Sequence, residues 1–75
     1  MPTTKAAYWQ DMKDRAAANI ATVSEWSKPS DEQSVKDHLA HVMKYGNCHE
    51  RAEVMIEAFE FMLACHMLKT HTIPA

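Results

Sequence analysis

Residues 54–68 read Val54-Met55-Ile56-Glu57-Ala58-Phe59-Glu60-Phe61-Met62-Leu63-Ala64-Cys65-His66-Met67-Leu68, and only Glu57, Glu60 and His66 interrupt the apolar run. The run reads as the body of a helix. At 100° per residue its apolar positions span roughly 220° of the circumference, against the ~100° stripe of an ordinary surface helix. Phe61, Val54, Cys65 and Ala58 fall on one side of this arc, Met55 and Met62 near its centre, and Phe59, Ala52, Leu63 and Ile56 on the other. One neighbouring helix cannot cover such an arc. Glu50, Glu53, Glu57 and Glu60 recur at spacings of three and four and form one narrow stripe opposite it, which reads as the solvated face.

Upstream, Asn47-Cys48-His49-Glu50 has the spacing of a capping box, so this helix is predicted over 48–69. Gly46 closes a second helix predicted over 31–45, and suits a left-handed position just past its end. That helix carries Val35, Leu39, Val42 and Met43 on one face, flanked by His38 and Tyr45. Ser30-Asp31-Glu32-Gln33 offers it a start, with Ser30 as cap and Gln33 reaching back, and Pro29 breaks what precedes. A first helix is predicted over 4–26, with Thr3 or Thr4 as cap. Its apolar face is Tyr8, Trp9, Met12, Ala16, Ile20, Val23 and Trp26, with Asn19 inside the same arc. Frayed ends are expected at 1–3 and 70–75.

The 75 residues make room for one domain, 1–75, and the 47% hydrophobic and 24% charged content is that of a globular chain. A single glycine leaves little for tight turns or phosphate-cradling loops, so the class is all-α. A net charge of −2 without a basic face points away from nucleic acid. No basic segment with an apolar run opens the sequence, and no stretch of about 18 uncharged apolar residues occurs, so no membrane partner is expected and the default setting is cytoplasmic. Cys48 and Cys65 lie roughly 25 Å apart along one helix, too far to pair with each other.

The apolar surplus on the third helix implies self-association: a homodimeric helical bundle with that helix central, its interface built from Met55, Ala58, Phe59, Met62, Cys65 and His66. Tyr8, Trp9 and Trp26 are the candidate contacts for a further protein partner. Catalytic residues and cofactors are not expected, since no Ser-centred elbow or Cys–His signature is present, and Cys48 and His49 project about 100° apart. The five histidines all lie beyond residue 37. If the second and third helices form a hairpin about Gly46, His38, His41, Cys48, His49 and Glu53 draw together as candidate metal ligands, although no CxxC or HExxH is present. The function expected is therefore a small, non-catalytic interaction module. It would act as an adaptor, inhibitor or regulator of a larger protein, of the kind phages and mobile elements encode. The alternative is a His/Cys metal-binding or metal-sensing helical dimer.

Overall fold

The computed structural model describes residues 5–70. Among them are three helices and no strands: α1 Lys5–Ser24, α2 Glu32–Tyr45 and α3 Cys48–Thr70. The expected cap at Thr3 or Thr4 and the segments 1–3 and 71–75, where fraying is expected, lie outside the described residues. Thr70 itself is helical, its hydroxyl donating to the carbonyl of His66 at 3.1 Å.

Helix α1 ends two residues earlier than predicted. The hydroxyl of the buried Ser24 turns back to the Ile20 carbonyl at 2.8 Å, and Glu25 takes a left-handed conformation with φ of 60°. That turn takes Trp26 off α1 and reverses the chain. Residues 25–31 then run back along α2, because Trp26 packs against His38 and His41 while the Ser27 carbonyl meets His38. The reversal makes α1 and α2 run in the same direction. Val23 and Ser24 lie beside Val42 and Tyr45 at one end, and Lys13 shares a cleft with Asp31 further along.

The start of α2 is shifted by one residue from the expected Ser30 box. Asp31 is the cap: its carboxylate accepts from the Ser34 amide at 2.8 Å, and the Ser34 hydroxyl accepts from the Asp31 and Ser30 amides at 3.0 and 2.9 Å. A short hydroxyl at the third helical position closes the box, and Gln33 bonds sideways to Asp37 instead. The accepted hydrogen bonds, first from the Ser34 backbone and then from its side chain, hold the Asp31 carboxyl below the usual range.

Gly46 does end α2, but with φ of −84°, not in the left-handed region. Space is what demands glycine here. An added Cβ would lie 2.7 Å from the Val42 carbonyl oxygen, 2.8 Å from Val42 Cγ1 and 3.3 Å from Glu50 Cβ. The tight corner lets α3 begin two residues later on the predicted Asn47–Glu50 box, closed by bonds of 2.8 and 2.9 Å. Helix α3 returns antiparallel to both others, as the Lys69–Glu32 ion pair at 3.5 Å records.

Ala16, Ala17 and Ile20 from α1, Val35 and Val42 from α2, and Val54, Ala58 and Phe61 from α3 form the buried core, with Ala64 also buried. The α1 face is rotated from the predicted one. Ala17 and Ser24 are buried, while Asn19 is exposed and Tyr8 and Trp26 are 46% and 44% exposed. Small side chains at 16, 17, 58 and 64 favour close approach of α1 and α3, and that approach selects the face.

Candidate functional site

Among the described residues, three of the six large hydrophobic side chains left exposed, Met55, Ile56 and Phe59, belong to α3. Its neighbours cover one side of the arc, taking Val54, Ala58 and Phe61 into the core, with Met62 and Cys65 packed against it. The other side stays open. Met55, Ile56 and Phe59 are 55%, 59% and 67% exposed, Ala52 and His66 are exposed, and Leu63 is partly so. Successive positions on this face are three or four residues apart, so it is one continuous strip along the helix.

The six expected interface residues therefore divide. Met55, Phe59 and His66 lie on the open strip and Met62 on its edge. Ala58 is a correction, because it is only 5% exposed and belongs to the chain's own core. Cys65 likewise packs against the core, where burial pushes its thiol up from the ordinary value.

The carboxylate stripe also departs from expectation. Glu53 is exposed, but Glu57 and Glu60 border a cavity of about 180 Å³ with Met12, Arg15 and Asn19 of α1. Desolvation raises the Glu57 pKa, the Asn19 side chain opposes this, and the negative charges of Glu60 and Glu53 add to it. Its Oε1 atom is buried without a hydrogen-bond partner among the described residues. Helix α3 is thus turned so that part of its charged stripe meets α1 while apolar side chains face outward.

The candidate metal ligands are not brought together. Both ring nitrogens of the buried His38 face carbonyl oxygens, Nδ1 at 2.6 Å from Ser34 and Nε2 at 2.8 Å from Ser27. The His41 ring stacks on Trp26, with centroids 4.0 Å apart and planes at 28°. His49 reaches Glu53 at 3.5 Å, while Cys48 is exposed. Among the described residues, no group of three or more His, Cys, Asp or Glu is placed to hold a metal ion. The expected hairpin about Gly46 is present, but its histidines are spent on backbone, ring and side-chain contacts.

Nor do the aromatic candidates form one patch. Tyr8 and Trp9 make an edge-to-face pair at 4.9 Å near the start of α1. Trp26 lies beyond that helix's other end, roughly 25 Å away at the helical rise. There it continues through His41 to Tyr45, whose ring is 5.2 Å from the imidazole and which is 70% exposed. Residue spacing on α1 gave no sign of this Trp26–His41–Tyr45 array, because it depends on the reversal at Glu25.

These features define an all-α, three-helix protein with an open apolar strip on its longest helix. No protein-family model matches the chain, and no curated protein or solved structure matches it. Among the described residues, no helix is long and apolar enough to cross a membrane.

Proposed function

We propose that this chain is a small non-catalytic protein–protein interaction module that acts as a homodimer, pairing through the open strip of α3. The observation that carries the reading is the exposure of Met55, Ile56 and Phe59 side by side on one helix face. Burying that strip stabilises an assembly through the same apolar transfer that builds a core, and a chain this short gains proportionately from it. A homodimeric bundle with α3 at its centre follows, and it leaves the Trp26–His41–Tyr45 array free to engage a larger protein as adaptor or inhibitor. The free thiols of Cys48 and Cys65 fit a cytoplasmic setting.

Sedimentation of the wild-type chain and of Phe59→Glu tests this. The wild type should sediment as a dimer and the variant as a monomer with unchanged helical circular dichroism, because Phe59 contributes little to the core. A wild-type chain that stays monomeric at high micromolar concentration overturns the reading.

A further inference from the structure

We infer that the two α3 helices pair antiparallel, about a two-fold axis crossing the helix at Phe59. This rests on the proposed self-association through α3 and adds its orientation and register. Ala52, Phe59 and His66 recur at intervals of seven and project within about 40° of one another, so they form the midline of the strip. Met55 and Met62 flank it on one side, Ile56 and Leu63 on the other.

The two ends of this midline are unequal in size. Parallel pairing sets alanine on alanine at one end and imidazole on imidazole at the other, which leaves a void at Ala52 and splays the helices at His66. Antiparallel pairing about Phe59 sets Ala52 level with His66 of the partner subunit at both ends, so the helix separation is even. The same register brings Met55 to within one residue's rise of Met62 of the partner subunit, and Ile56 to within one residue's rise of Leu63 of the partner subunit. Small-against-large matching of this kind is what dense packing requires.

The helix dipoles point the same way. Antiparallel pairing opposes the dipoles of the two helices, whereas parallel pairing aligns them. Side-chain charge decides little, since Glu57 and Glu60 turn toward α1 and Lys69 is paired with Glu32 of its own chain. Parallel pairing brings Glu53 beside Arg51 of the partner subunit, but a solvent-exposed pair contributes little. The exposed parts of Met55, Ile56 and Phe59 amount to roughly 350 Å² per chain, and with their neighbours two such strips bury about 1,000 Å², the lower edge of specific interfaces.

Cys48 is exposed at the start of α3 and provides the probe. A nitroxide on Cys48 in a Cys65→Ala background should report an inter-label distance of about 35 Å, since 22 residues of helical rise separate the two sites in the antiparallel register. The parallel register gives less than about 20 Å. The same measurement on wild-type chain labelled briefly, when the half-buried Cys65 thiol reacts slowly, controls for the substitution. A dimer with the short distance overturns the orientation and leaves self-association standing. A monomer by sedimentation overturns both.

Discussion

The Nε2 atom of His38 lies 2.8 Å from the carbonyl oxygen of Ser27, and this pair holds the connection between α1 and α2 against the bundle. The linker has no regular secondary structure to satisfy its backbone, so a side chain of α2 does so. Trp26 covers the imidazole edge-on at 5.1 Å. The other ring nitrogen, Nδ1, lies 2.6 Å from the Ser34 carbonyl oxygen, so the imidazole is fixed at both edges.

Replacing His38 should therefore loosen the linker. His38→Ala removes a buried ring and leaves both carbonyls without this partner, with an expected loss of about 2–3 kcal/mol. His38→Phe restores volume but no donor and should recover part of that loss. Urea denaturation of the three proteins measures the difference, and equal stability of wild type and His38→Ala would exclude a latch.

At the α2–α3 corner, Gly46→Ala should destabilise the chain by about 2 kcal/mol, within the usual range for overpacking. The φ of −84° suits alanine, so the cost arises from crowding against Val42 and Glu50. Thermal unfolding should show a lower Tm for Gly46→Ala, and a shorter side chain at Val42 should restore part of it.

Glu57 provides the pH dependence. Its folded pKa is raised above the value of the unfolded chain, first by desolvation and then by the charges of Glu60 and Glu53. A raised pKa means that the group's stabilising contribution is present below the unfolded pKa and is lost as pH rises through the folded one. Glu57→Gln should therefore be more stable than wild type at neutral pH, by less than about 1 kcal/mol at this partly solvated site. The advantage should fade as pH falls through the folded pKa and be gone below about pH 4, where the carboxyl is protonated in either state. Denaturant midpoints measured from pH 3 to 8 check both the sign and the window.

Helix number and the Asn47–Glu50 box were legible because both depend on residues close together in sequence. Periodicity shows which residues share a face, and a capping box closes within four residues. The second box was legible only to within one residue. Ser30 and Asp31 are both sound caps, and the choice went to the one whose third follower, Ser34, has a hydroxyl that donates to the Asp31 carbonyl and accepts from the Asp31 amide. Gly46 was placed correctly as a terminator for a different reason, since its need for space arises between two helices.

By itself, the sequence determined that this chain is helical, that its longest helix has more apolar surface than one neighbour can cover, and that Cys48 and Cys65 do not pair with each other. Tertiary structure alone decided which side of that surface is covered. Phe61, Val54 and Ala58 are as apolar as Phe59, Ile56 and Met55, and no local rule separates the two sets. They are separated by the reversal at Glu25 and the tight corner at Gly46, which bring α1 and α2 to the same side of α3 and leave the other side open.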